Sequence, residues 1–134
     1  MSVAARTIAQ YLAAFNAGDR AAMEALVTED LSHHVNQGGI RHGRAAFAAF
    51  NAHMARCYRE RLEDIVILTG PDDRRAAAEF TVHGEYIGSD EGLPEARGQR
   101  YVLPVGIFFS LRDGQIARIA TCYNLQDWLR QVQA

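Results

Sequence analysis

Tyr11-Leu12-Ala13-Ala14-Phe15-Asn16-Ala17-Gly18-Asp19 is the stretch on which the fold turns. Taken with the residues before it, Ala4 to Ala17 sets the larger apolar side chains Ile8, Tyr11, Leu12 and Phe15 at helical spacing, which predicts an amphipathic helix with one buried stripe. Gly18 supplies the stop. Asp19 is placed to cap a second, short helix carrying Met23, Leu26 and Val27, so a tight corner at Ala17-Gly18-Asp19 joins the two. Thr28-Glu29-Asp30 ends that helix.

Outward from this corner the chain first stays helical and then changes character. Leu31 to Asn36 is short and mixed, a possible strand, and the turn-rich Gln37-Gly38-Gly39 follows. A third helix runs from about Arg44 to Tyr58 with Phe47, Phe50, Met54 and Cys57 on one face. Leu62 to Leu68, Ala76 to Ile87, Tyr101 to Leu111 and Gln115 to Tyr123 read as strands, and Gly70-Pro71-Asp72-Asp73 and Asp113-Gly114 join neighbours as antiparallel hairpins. Leu125, Trp128, Leu129 and Val132 predict a C-terminal helix. Helices first and an antiparallel sheet afterwards make an α+β chain.

The third strand-like run adds a partner. Tyr101-Val102-Leu103-Pro104-Val105-Gly106-Ile107-Phe108-Phe109 is apolar on both alternating faces, whereas an antiparallel strand with one wet face alternates with polar residues. The helices of so small a chain can cover one face only, so the expectation is a homodimer in which a second subunit covers the outer sheet face.

With 134 residues the chain is expected to form one domain, residues 1–134, large enough for a core without a staple. It is 49% hydrophobic and 22% charged, which excludes disorder. Fourteen basic residues, all arginine, stand against 16 acidic ones, with no basic run, so neither nucleic acid nor a membrane is an expected partner. No stretch of about 20 apolar residues occurs and the N-terminus lacks the pattern of a signal peptide. Cys57 and Cys122 form no framework and read as reduced thiols of a cytoplasmic protein. The Gly-x-Ser-x-Gly, Gly-x-x-x-x-Gly-Lys, Gly-x-Gly-x-x-Gly and Cys-x-x-Cys motifs are absent from the sequence, which leaves nucleophilic hydrolases, nucleotide sites and zinc ribbons without support. His33, His34, His42, His53 and His83 lack the spacing of paired helical ligands, so no metal is expected.

The opening helix resembles that of the nuclear transport factor 2-like (NTF2-like, cystatin-like) superfamily, and in particular the ketosteroid isomerases and related SnoaL-like proteins. The likeness extends through Ala25-Leu26-Val27, Phe80-Thr81-Val82 with Glu85-Tyr86, Pro104 and Phe108. It implies a conical α+β barrel, a curved antiparallel sheet wrapped around a deep apolar pocket that the helices close. In ketosteroid isomerases a Tyr on the first helix and an Asp on the fourth strand donate to the oxyanion, and an Asp on the first strand is the base.

Position by position, Tyr11 falls on the family's Tyr; a phenol of ordinary pKa about 10 stays neutral and can donate to an enolate. The other two positions depart from the pattern, because the base falls at Val35 and the second donor at Gly106. Ordinary steroid isomerisation is therefore not supported. His33 shares a strand face with Val35, and His34 shares the opposite face, so whichever points inward is the candidate base, with an ordinary pKa of about 6.5. Phe80, Val82, Tyr86, Gly106, Phe108, Thr121 and Tyr123 match pocket-lining positions, and Phe50 and Met54 of the third helix complete the lining. Such a lining suits a small hydrophobic, ring-containing ligand and needs no cofactor. The expected function is proton abstraction next to a carbonyl, of isomerase or lyase type. The alternative is a non-catalytic module that binds a small molecule or a protein. The long connection from Gly88 to Gly98 is read as a rim over the pocket or as a solvated loop.

Overall fold

Among the described residues, six strands form one curved, unclosed sheet in the order β2-β1-β6-β5-β4-β3, and four helices gather over one of its faces. In this computed structural model residues 1–36 and 38–133 are described, so Gln37, within the expected turn, lies outside them. The elements are α1 (Val3–Ala17), α2 (Arg20–Ala25), β1 (Val27–Val35), β2 (Ile40–His42), α3 (Arg44–Cys57), β3 (Tyr58–Thr69), β4 (Arg75–Tyr86), β5 (Gln99–Arg112), β6 (Gln115–Tyr123) and α4 (Leu125–Gln133).

The corner after α1 is built as its residues require. Ser2 caps the start of α1 by accepting from Ala5 N, the backbone N–H groups of Gly18 and Asp19 close its last turn on Phe15 O and Ala14 O, and the Asp19 side chain accepts from Ala22 N to open α2. Asn16 then clasps the sheet: its Nδ2 donates to Leu62 O at 3.0 Å and its Oδ1 accepts from Leu62 N at 2.8 Å. The helix stripe Ala4, Ile8, Tyr11 and Leu12 is buried against the sheet.

Two expectations are corrected. Val27 and the three residues after it do not belong to or end α2 but open β1, a strand that runs parallel to β6; the sheet is mixed, with one parallel pair. β2, a three-residue strand antiparallel to β1, carries too few residues for any periodicity to show. The sheet is curved and unclosed, with β2 and β3 at its two ends.

Register decides which side chains look inward. Across β4 and β5, Ala78 faces Ile107, Phe80 faces Val105, Val82 faces Leu103 and Gly84 faces Tyr101. These alternate with outward pairs, Ala77 with Phe108, Glu79 with Gly106, Thr81 with Pro104 and His83 with Val102. The helices cover the inward set: Phe109 is 1% and Tyr101 2% exposed, while Phe108 is 53% and Val102 49% exposed. Asp113 and Gly114 both have positive φ, the geometry of a tight hairpin turn between β5 and β6.

Pro104 sits inside a long strand, where the lack of an N–H normally breaks a ladder. β6 stops at Tyr123, opposite Val105, so β5 has no β6 partner from residue 104 toward its start. There α4 takes over, with Gln131 accepting from Val102 N and donating to Val102 O, both at 2.9 Å.

Candidate functional site

Tyr11 comes from α1 and His33 from β1, and the two meet around one ring. Tyr11 stacks on Phe47 of α3 with centroids 6.4 Å apart, and His33 stands edge-on to the same Phe47 at 5.2 Å. Phe50, one turn further along α3, packs on His33 at 4.8 Å, and Phe109 of β5 closes on Tyr11 at 5.9 Å. The parallel pairing of β1 with β6 puts His33 beside Ile119 and Val35 beside Thr121, both inward.

The electrostatics follow from this burial. The hydroxyl of Tyr11 is raised above the usual phenol range by desolvation, so it remains a neutral donor at any physiological pH. His33, 4% exposed, is pushed down to about 4, first by burial and then by the charges of Arg41 and His34, so its imidazole is neutral near pH 7. Its Nδ1 is buried and, among the described residues, has no hydrogen-bond partner; Asn51 Nδ2, on the inward stripe of α3, is in the same position. An unpartnered buried polar atom costs roughly 1–3 kcal/mol. Thr28 Oγ1 and Arg44 Nε are likewise buried without a partner among the described residues.

His34 does not join this group. It pairs with Ala120 and Ile40, turns to the outer face, and so is corrected as a base inside the pocket. Gly106 and Phe108 are likewise corrected: both lie on the outer face of β5, where grooves of about 460 Å³ and about 260 Å³ run beside them rather than the interior. Phe80, Val82 and Tyr86 are buried on the inner face. Val35, Phe50, Met54, Thr121 and Tyr123 are inward but only partly buried.

Two charged residues of the interior escape the sequence reading. Arg41 of β2 shares the inward face with His33 and lays its guanidinium 4.4 Å over the Phe50 ring. Glu60 of β3 shares a face with Leu62 and accepts a 2.6 Å hydrogen bond from the Tyr101 hydroxyl; burial raises its carboxyl above the ordinary value despite that bond. Extending the alternation of Leu62 by one step toward the N-terminus was the available signal for Glu60. The Tyr101 ring crosses directly above Gly84, where a Cβ would lie 2.2 Å from ring carbons, so only glycine lets Tyr101 reach Glu60.

Beyond Glu60 the end of the interior is aromatic and polar. Tyr58 stacks on Tyr86 at 5.4 Å, Trp128 of α4 packs on both and on Tyr101, and the hydroxyl of Tyr58 donates to Asp90 Oδ2 at 2.7 Å. The 88–98 connection is held down rather than free: Tyr86 Oη accepts from Asp90 N and donates to Pro94 O.

The curved sheet with helices gathered over one face is an NTF2-like fold, and a tyrosine and a histidine converge on its inner side. The chain belongs to the SnoaL-like domain family, whose model matches residues 8–119. It superposes on a proposed polyketide cyclase from Pseudomonas putida KT2440 with a TM-score of 0.96 and 55% identity, over 98% of this chain and 99% of that one. A second proposed polyketide cyclase, from Silicibacter sp. TM1040, matches with a TM-score of 0.94 and 60% identity, over 96% and 94% of the two chains. An NTF2-like protein from Burkholderia pseudomallei K96243, 17% identical over the whole of both chains, shares the fold with a TM-score of 0.81. Comparison with curated proteins finds no match. No described helix is long and apolar enough to cross a membrane.

Proposed function

We propose that this chain is a cofactor-independent cyclase or isomerase that takes a proton from the carbon between two carbonyls of a small, ring-forming polyketide-like compound. The observation that carries the reading is the buried, unpartnered Nδ1 of His33 in a ring that shares Phe47 with Tyr11. Likeness at 55% and 60% identity to two proposed polyketide cyclases supports the substrate class.

In this reading neutral His33 takes the proton, and the C–H electron pair moves into the enolate, whose oxygen accepts a hydrogen bond from Tyr11. The enolate carbon then forms the new C–C bond at a second carbonyl of the same molecule, and the imidazolium returns its proton to the resulting alkoxide. With a pKa of about 4 His33 is about as basic as an ordinary aspartate, enough for a doubly activated carbon acid, and it is unprotonated and ready near pH 7. Arg41, on the His33 side of Phe50, stabilises the developing negative charge. A substrate passes Phe50 and Met54 to reach these groups. Two copies pair through the outer face, where Val66, Leu68, Val102 and Phe108 are exposed. Free thiols at Cys57 and Cys122 fit work in the cytoplasm.

The test starts with thermal shift against aromatic 1,3-dicarbonyl compounds, then turnover of whichever binds. Tyr11→Phe is expected to lower kcat by roughly 10²–10³ with little change in binding, since it removes a donor and keeps the ring. Equal loss of binding and turnover overturns the role of Tyr11. Binding without turnover in the wild type instead favours the non-catalytic module.

A further inference from the structure

The last turn of α3 and the connection after β4 bring three different metal-ligating atoms to one point. His53 and Cys57 are four residues apart and so share a helix face. His53 Nε2 lies 2.8 Å from Asp90 Oδ1 and 3.8 Å from Cys57 Sγ, and all three atoms lie within 4.8 Å of one another. Two features argue that this is more than an ion pair beside a thiol. A proton relay from thiol through imidazole to carboxylate uses both ring nitrogens, one for each partner; here the thiol and the carboxylate both approach Nε2, which has one lone pair or one hydrogen to offer. Three donors crowding a single point is the arrangement that a shared cation resolves. Bonds of about 2.0–2.3 Å to nitrogen, oxygen and sulfur put tetrahedral ligand atoms roughly 3.3–3.5 Å apart, so small side-chain adjustments suffice.

The backbone also holds the three residues in place. Ile87 N and Gly88 N both donate to Cys57 O, and a Cβ at Gly88 would lie 2.4 Å from Arg56 O, so the close approach of this connection to α3 is specific to glycine. Asp90 is aimed by its neighbours, its second oxygen accepting from Tyr58 Oη at 2.7 Å and its N–H donating to Tyr86 Oη at 2.9 Å. A carboxylate oriented by hydrogen bonds to its non-ligating oxygen is the outer support that metal ligands need. Cys57 is buried while His53 is partly exposed, so the remaining coordination position opens to water.

We propose that His53, Cys57 and Asp90 form a binding site for a zinc-class divalent cation, with one position left for water and Tyr58 positioning the carboxylate. Imidazole, thiolate and carboxylate together select zinc or cobalt over magnesium or calcium, which take oxygen ligands. The cation ties the 88–98 connection to α3 at the rim of the interior. The site shares no residue with the group around Tyr11 and His33, and its test does not require a substrate.

The chain, stripped with chelator, is titrated with cobalt(II) and zinc(II). One cobalt per chain with a thiolate-to-cobalt charge-transfer absorption is expected, and zinc is expected to raise the melting temperature. His53→Ala, at a partly exposed position, is expected to melt like the wild type in chelator and to bind zinc on the order of 100-fold or more weakly, and Tyr58→Phe about 10-fold more weakly. Cys57→Ser removes the charge-transfer band; if that variant does not fold, His53→Ala still decides the matter. Cobalt binding without a thiolate band, or equal zinc affinity in His53→Ala and wild type, overturns the proposal.

Discussion

The two faces of β5 are made of the same kind of residue and live in different surroundings. Inward, Tyr101, Leu103, Val105, Ile107 and Phe109 are buried under helices of their own chain. Outward, Val102 and Phe108 stand about half exposed, with Pro104 between them. At about 25 cal/mol per Å² of apolar area removed from water, the inner face has realised its contribution to folding, whereas the apolar area of Val102 and Phe108 on the outer face is still about half in water. Composition therefore says how much a strand face could contribute, and topology says when it does.

The sharpest way to break this comparison is to truncate neighbouring phenylalanines. Phe109→Ala is expected to lose about 3–5 kcal/mol in urea unfolding, while Phe108→Ala in dilute solution stays within about 0.5 kcal/mol and instead weakens self-association on sizing columns. Equal losses would mean that the two faces are covered alike.

The second largest effect is a pH dependence from the inner face. His33 has a folded pKa of about 4 against about 6.5 when unfolded, so between those values the unfolded chain binds more protons and stability falls as the solution is acidified. The loss begins near pH 6.5, is complete near pH 4, and amounts to about 3 kcal/mol at about 1.4 kcal/mol per unit. His33→Gln should remove this slope from denaturation curves measured across that window; an unchanged slope would place its origin elsewhere.

Gly84→Ala tests the crossing of Tyr101 over β4. A methyl group there meets the ring, and overpacking of this kind costs about 1–3 kcal/mol. Tyr101→Ala in the same chain should recover part of the loss, which a double-mutant cycle measures as coupling. The smallest effect is expected from Asn16→Ala, which removes two hydrogen bonds to Leu62 and costs about 1–2 kcal/mol in thermal or urea melts.

β4 and β5 also show what could be read from the sequence and what could not. In β4 the polar residues Glu79, Thr81, His83 and Glu85 alternate with Ala78, Phe80 and Val82, so the inward face is visible in the residues themselves. In β5 both faces are apolar, the alternation carries no sign, and placing Gly106 and Phe108 by resemblance put them on the wrong side. The helix stripe of α1, its corner and the Asp113-Gly114 hairpin were legible because spacing and turn chemistry are local. β2, the parallel pairing of β1 with β6, and the inward turn of Arg41 and Glu60 depend on partners far along the chain. The inward direction of His33 was open in the sequence, since neither neighbour in Ser32-His33-His34-Val35 fixes the parity, and the pairing with Ile119 decides it.

The Asn16 clasp has a consequence for what this protein can grow into. β3 ends the sheet with twelve residues, and a strand at a free edge offers its N–H and C=O groups as a template for another chain. The amide of Asn16 already occupies both groups of Leu62, and the irregularity after Glu63, where Asp64 takes a positive φ, interrupts the ladder just beyond it. Arg59, Arg61 and Glu63 add charge on the same stretch. A chain laid against β3 meets a blocked rung, a kink and charges in succession, so strand-by-strand zippering along this edge finds no purchase.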